Sequence, residues 1–84
     1  MNITYIELFT LPTCKDCPAA KLNIGREFPN VALVVYDCSK SENLELARNY
    51  NIACTPTSVF HFTDGSEKIL SKVSVEFKAS LDNI

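Results

Sequence analysis

Cys14 and Cys17 are the two residues of this 84-residue chain whose type and spacing most directly predict chemistry. With two residues between them at the start of a helix, their sulfurs can close a disulfide without distorting the backbone. The unpaired amides and the dipole of a helix N-terminus favour a thiolate, which is the nucleophile of disulfide exchange. Cys14, nearer the N-terminal end of the helix, is the predicted attacking residue. Cys17, one turn further in, is the predicted buried resolving residue.

The cysteine pair also has a second interpretation, because zinc sites use the same spacing. The chain contains two further cysteines, Cys38 and Cys54, and four thiolates would suit a tetrahedral zinc ion. Only one Cys-x-x-Cys element is present, so we predict no metal. Cys38 is interpreted as structural. Cys54 is interpreted as a small side chain filling a loop, with a regulatory or dimer-forming thiol as the alternative.

Composition and charge narrow the class of protein. The length predicts a single domain over residues 1–84, and the net charge of −2 gives no electrostatic footprint for nucleic acid or an anionic membrane. No apolar run approaches the roughly 20 residues that cross a bilayer. The N-terminus lacks the basic and apolar regions of a signal peptide, so a cytoplasmic location is expected. There, a close cysteine pair is more often catalytic or metal-binding than structural.

The elements that must position the pair can be predicted from residue periodicity. Residues 3–10 are rich in β-branched and aromatic side chains and predict a strand. From Cys14 to about Phe28 the apolar spacing becomes helical, with Thr13 as the expected N-cap. The continuous apolar run 31–36 predicts a strand buried on both faces and parallel to the first. Ser39 and Glu42 fit a capping box ahead of a second helix.

The second half of the chain predicts a hairpin and a last helix. Residues 57–62 form a third expected strand, Asp64-Gly65 is a turn signal, and residues 66–73 return as an antiparallel fourth strand. Ser74 is a candidate cap for a third helix. The order β-α-β-α-β-β-α predicts an α/β fold with a four-stranded mixed sheet and helices on both of its faces.

At this point the chain resembles the thioredoxin–glutaredoxin superfamily over nearly its whole length. Phe9 to Cys17 (FTLPTCKDC) resembles the strand, loop and helix that carry the family's cysteine pair. Tyr50 to Thr57 (YNIACTPT) resembles the segment around the family's cis-proline. Val59 to Gly65 (VFHFTDG) resembles the hairpin that follows. The body has the size of a glutaredoxin, whereas the proline segment is similar to that of thioredoxins.

The resemblance implies a thioredoxin-like fold and a thiol–disulfide oxidoreductase without a bound cofactor. It implies that the Pro56 peptide bond is cis and that Thr55 offers backbone groups to an extended substrate peptide. Expected partners are a protein disulfide substrate and a reductase or dithiol donor, and a monomer is expected. The expected substrate-binding surface comprises Thr13, Lys15, Asp16, Thr55 and Pro56.

Two departures from the family pattern bear on the chemistry. The buried acid that thioredoxins carry six residues before the first cysteine is replaced by Leu8, so proton transfer at Cys17 would have to use water or Glu7. Glutathione-binding members carry a Gly-Gly pair after the fourth strand, whereas residues 72–76 here contain no glycine. A glutathione-dependent glutaredoxin therefore stays the alternative to a protein disulfide oxidoreductase.

Overall fold

Residues 2–71 contain four strands and two helices in the order β-α-β-α-β-β. A computed structural model describes residues 2–71 and contains β1 (Ile3–Thr10), α1 (Cys17–Glu27), β2 (Ala32–Asp37), α2 (Ser41–Asn49), β3 (Thr57–Phe62) and β4 (Glu67–Ser71). The bounds of β1 and β3 are those predicted. The predicted last helix and the final residues of the predicted fourth strand lie outside the described residues.

The four strands form one mixed sheet in the order β2-β1-β3-β4. β2 runs parallel to β1, as expected for two strands joined by a helix, and β3 and β4 follow as antiparallel neighbours. Asp64-Gly65 forms the predicted turn between β3 and β4, and Gly65 adopts a φ of 88°. A side chain at this position would be strained in that conformation.

β1 lies inside the sheet, and its alternating side chains separate two hydrophobic clusters. Ile6 and Leu8 point towards α1 and pack with its Ala20 and Ile24. Phe9 lies in the second cluster, which includes Ala47 of α2. The helices therefore cover opposite faces of the sheet, as predicted, and the loop that carries Cys14 leaves the sheet at the end of β1.

The predicted caps of α1 and α2 are wrong, and the third predicted cap, Ser74, lies outside the described residues. α1 begins at Cys17 with Asp16 as its N-cap and has no side-chain cap, rather than beginning after Thr13. The Cys14 amide donates to the Leu11 carbonyl at 3.0 Å, so the intervening residues form a turn before the helix. In the predicted capping box, the Ser39 hydroxyl instead donates to Asp37 Oδ1 at 2.7 Å, and α2 begins two residues later.

The expectation that the second strand is buried on both faces is also wrong. Among the described residues β1 is the only strand paired with β2, so β2 is an edge strand. Val34 and Val35 point to opposite faces and are 40% and 41% exposed. A continuous apolar run cannot distinguish a central strand from an unprotected edge, because the difference depends on which strands pair.

No helix within residues 2–71 is long and apolar enough to cross a membrane.

Candidate active site

Cys14 and Cys17 form a disulfide, with their Cα atoms 5.5 Å apart. Cys17 is the first residue of α1 and is only 6% exposed, because the helix packs it towards the sheet. Cys14 lies in the preceding turn and is half-buried. The neighbouring Thr13, Lys15 and Asp16 are all exposed. Cys17 is therefore the less exposed of the two cysteine residues.

The loop before β3 is the second part of the site. The Thr55–Pro56 peptide bond is cis, as the family resemblance implied. Pro56 is buried and Thr55 is half-buried. The Thr57 hydroxyl donates to the carbonyl of Cys54 at 2.7 Å, which holds the two ends of this short loop together.

The sheet brings the cysteine loop and the proline loop to the same end of the molecule. Phe9, near the end of β1, pairs with Thr57, the first residue of β3. Because these strands are antiparallel, the end of β1 and the start of β3 are neighbours. The loop after Thr10 and the loop before Thr57 therefore leave the sheet from adjacent positions.

A groove of about 380 Å³ runs from the disulfide towards β2. Cys14 and Cys17 line one part of it, and Lys21 of α1 lines another. On the β2 side the groove is lined by Val35 and Asp37. Lys21 makes no ion pair with any other described residue. This groove therefore connects the Cys14–Cys17 disulfide with the exposed side of the edge strand β2.

Glu7 is a buried carboxylate on the opposite face of the sheet from Leu8 and α1. Its Oε1 accepts hydrogen bonds from the Tyr50 hydroxyl at 2.7 Å and from His61 Nε2 at 2.6 Å. Its Oε2 accepts one from the Tyr36 hydroxyl at 3.0 Å. Both oxygens are thus used on the α2 side, so Glu7 does not take the role of proton acceptor for Cys17 that the sequence had suggested.

Hydrogen bonding keeps this carboxylate charged. Burial raises the pKa of Glu7, but the bonds from Tyr50, His61 and Tyr36 outweigh burial and leave that pKa below its ordinary value. Burial and the nearby carboxylate raise the pKa of both tyrosines. Because Glu7 is ionised and can only accept, His61 Nε2 carries the proton in their shared hydrogen bond.

Sequence reasoning did not find this network. The Tyr5 ring stacks on the His61 ring at 4.0 Å, and His61 Nδ1 lies 3.7 Å from Glu67 Oε2. One feature of the sequence could have indicated this network. Glu7 is an acidic residue inside an otherwise apolar strand, and a buried carboxylate requires hydrogen-bonding partners.

The two remaining cysteines line a second, smaller cavity of about 120 Å³. Cys38 is 7% exposed, and its burial raises the pKa of its thiol. This fits the structural interpretation of Cys38. Cys54 is exposed at the start of the proline loop. Residues 2–71 contain no group of three or more histidine, cysteine, aspartate or glutamate side chains that could hold a metal ion.

This difference in burial predicts selective alkylation. In the native oxidised protein, iodoacetamide should modify Cys54 at least about tenfold faster than Cys38, because only an accessible thiolate reacts readily. Mass spectrometry of timed samples would measure both rates. Unfolding in guanidinium chloride should make the two rates similar. Equal rates in the native protein would contradict the burial of Cys38.

Comparisons with known proteins agree with this geometry. The chain is 39% identical over 64 residues to a thioredoxin from Methanocaldococcus jannaschii, covering 73% of this chain and 74% of the relative. Thioredoxin O2 from Arabidopsis thaliana in the oxidised state superposes with a TM-score of 0.73 at 21% identity, covering 98% of this chain and 75% of the other. No protein-family model matches the chain.

A second solved structure is closer to this chain in length. The thioredoxin-like protein BC3987 superposes with a TM-score of 0.64 at 28% identity, covering 90% of this chain and 97% of the other. The thioredoxin of Fasciola hepatica gives a TM-score of 0.70 at 23% identity, with coverages of 94% and 78%. These structures share the fold that places Cys14 and Cys17 beside the proline loop.

Proposed function

The chain belongs to the thioredoxin family and is a thiol–disulfide oxidoreductase, and we propose that it acts on protein disulfides with Cys14 attacking and Cys17 resolving. The observation that supports this assignment is the unequal exposure of the two cysteine residues. Cys14 is half-buried in a surface turn, whereas Cys17 is 6% exposed in the first turn of α1. A bulky protein disulfide can approach only the more accessible sulfur.

The proposed reduction takes place in two exchanges that together transfer two electrons. The Cys14 thiolate attacks one sulfur of the substrate disulfide, forming a mixed disulfide and releasing the other substrate sulfur as a thiolate. The Cys17 thiolate then attacks Cys14 Sγ, which closes the Cys14–Cys17 disulfide and releases the second substrate thiolate. Both released thiolates take protons from water. The oxidised protein is the state that the structure describes.

The substrate chain is proposed to lie across the two loops. Thr55 is half-buried beside the cysteine loop, and its backbone is suited to pair with an extended peptide. Pro56 has no amide proton, so it presents no unpaired donor to the sulfurs. The exposed side chains of Thr13, Lys15 and Asp16 would contact the substrate on the other side of the disulfide.

Members of the thioredoxin family act on protein disulfides and are re-reduced by reductase partners. For this chain we propose the same cycle, with a reductase or a dithiol donating the two electrons that return Cys14 and Cys17 to thiols. The cytoplasmic location, the single-domain extent and the monomeric state stay predictions. So do the absence of a cofactor and of any membrane or nucleic-acid partner.

Cys17→Ser should trap the first intermediate, because the serine hydroxyl cannot attack the mixed disulfide at Cys14. Reduced Cys17→Ser protein mixed with an oxidised protein substrate should accumulate a covalent complex that dithiothreitol dissolves. Non-reducing electrophoresis and peptide mass mapping would identify the linked cysteine. Linkage through Cys54 instead of Cys14 would overturn the assignment of roles, and Cys54→Ser in the same background provides the matched control.

A further inference from the structure

The outer edge of β2 lacks the features that usually protect an exposed strand. Edge strands are commonly shielded by charged residues, proline, a bulge or short length. The first five residues of β2 (32–36) contain neither charge nor proline, its one charged residue is the terminal Asp37, and β2 pairs with β1 in continuous register. By contrast β4, the other edge strand of the described sheet, is one residue shorter and begins with Glu67 and Lys68. The two edges are therefore not equivalent.

The unprotected edge leads directly to the redox centre. Because β2 is parallel to β1, its last residues lie at the end of the sheet where the cysteine loop begins. Val35 and Asp37 line the groove that Cys14 and Cys17 also line. A polypeptide that follows the edge of β2 therefore passes into the groove and reaches the disulfide.

We propose that the β2 edge and this groove bind an extended segment of the protein substrate, which pairs with β2 as an additional strand. Strand addition would satisfy the outward backbone groups of β2 and cover the exposed faces of Val34 and Val35. This inference rests on the proposed function. The continuity of the edge with the disulfide identifies the occupant as a partner that also brings a disulfide to Cys14.

The residues that line the groove also indicate which side chains that substrate segment should carry. An apolar side chain of the substrate would pack on Val35, which is 41% exposed. Lys21 and Asp37 place one ammonium and one carboxylate in the same groove, so its charges favour neither an acidic nor a basic segment. The edge therefore favours substrates with an apolar stretch in extended conformation near the reactive cysteine.

Val35→Lys tests the surface by comparing two substrates. A docked strand would bury the new ammonium, so the ratio of insulin reduction to hydroxyethyl disulfide reduction, each as kcat/KM, should fall about tenfold. Most of this fall should come from KM for insulin. Ile69→Lys is the matched control, since Ile69 is 40% exposed on the other edge strand. It should leave the ratio within twofold of wild type.

Equal ratios for Val35→Lys and wild type would overturn the inference. Light scattering that finds a dimer for the wild type and a monomer for Val35→Lys would also overturn the inference, because the β2 edge would then bind a second copy of the chain. A wild type that reduces neither substrate would refute the proposed function. In that case a second experiment, which requires no turnover, tests whether the β2 edge binds the substrate segment.

That experiment is hydrogen exchange on a preformed covalent complex. A fragment of the insulin B chain with a single cysteine, activated as a thionitrobenzoate disulfide, links chemically to Cys14 of the Cys17→Ser/Cys54→Ser variant, with release of thionitrobenzoate and no turnover required. Residues 32–37 should then gain amide protection relative to the unlinked variant, and residues 67–71 should not. Unchanged protection at residues 32–37 would overturn the inference whatever the turnover results are.

Discussion

Cys14→Ser should lower the rate of protein disulfide reduction by at least about a thousandfold, because it removes the nucleophile from the first exchange. The measurement is insulin reduction with dithiothreitol as donor, corrected for the rate of dithiothreitol alone. Serine has nearly the shape of cysteine, so the reduced variant should unfold at the same temperature as the reduced wild type.

Two further variants complete this test. Cys54→Ser, in the adjacent loop, should retain most of the wild-type activity, which shows that the loss is specific to Cys14. Full activity in Cys14→Ser would move the attack to another sulfur and refute the proposed order of events. Loss of activity together with loss of the fold would be visible as a shift in the unfolding temperature of the reduced protein.

Glu7→Gln should lower the free energy of unfolding at pH 7 by about 2–4 kcal/mol, although Glu7 is remote from the disulfide chemistry. The carboxamide has one acceptor oxygen in place of two, and its NH₂ group would face the donors of Tyr36 or His61. For a domain stabilised by about 5–15 kcal/mol, this is a large fraction of the total. Urea unfolding of the oxidised proteins would measure it.

A surface glutamate provides the control for this prediction. Glu45 pairs with Arg48 at 3.6 Å, and both side chains are about two-thirds exposed. Glu45→Gln should therefore change the free energy of unfolding by less than about 0.5 kcal/mol. Equal effects of the two substitutions would show that Glu7 is not held by its three hydrogen bonds.

The same carboxylate should make the stability of the protein depend on pH. The pKa of Glu7 is lower in the folded protein than its ordinary value of about 4.3, so folding favours the ionised form. Its stabilisation is complete above that ordinary value and is lost as pH falls through the folded pKa. Tyr36, Tyr50 and His61 face this carboxylate, and Glu67 faces His61 from β4. The Glu7→Gln protein should lose less stability between pH 5 and pH 3.

The local pattern of residue types correctly predicted those elements whose structure is determined by residues close together in the chain. The bounds of β1 and β3 follow from β-branched and aromatic residues ended by proline or turn signals, and both agree with the structure. The cysteine pair lies at a strand–loop–helix junction, as the same pattern predicted, but Cys17 is the first helical residue and Cys14 lies in the turn before it. The cis bond before Pro56 required the family resemblance, because residue type alone does not determine it.

The features that the sequence did not predict depend on contacts between residues that are far apart in the chain. Tyr36, Tyr50 and His61 lie 29, 43 and 54 residues from Glu7, so no local pattern could place them around one carboxylate. The edge position of β2 depends on the strand order, which six apolar residues cannot encode. The start of α1 was misplaced because the backbone turn from Leu11 to Cys14 competes with an earlier first helical turn.

The pairing of Phe9 with Thr57 has a consequence for how such a protein can change over evolution. Phe9 and Thr57 are 48 positions apart along the chain, yet the pairing of their two strands sets the spacing of the loops that follow and precede them. The connections 28–31 and 63–66 lie at the opposite end of the sheet. Insertions at those connections would change the outline of the molecule without altering the spacing of the catalytic loops. The reactive centre is thus a module that can remain constant while the surrounding chain gains or loses length.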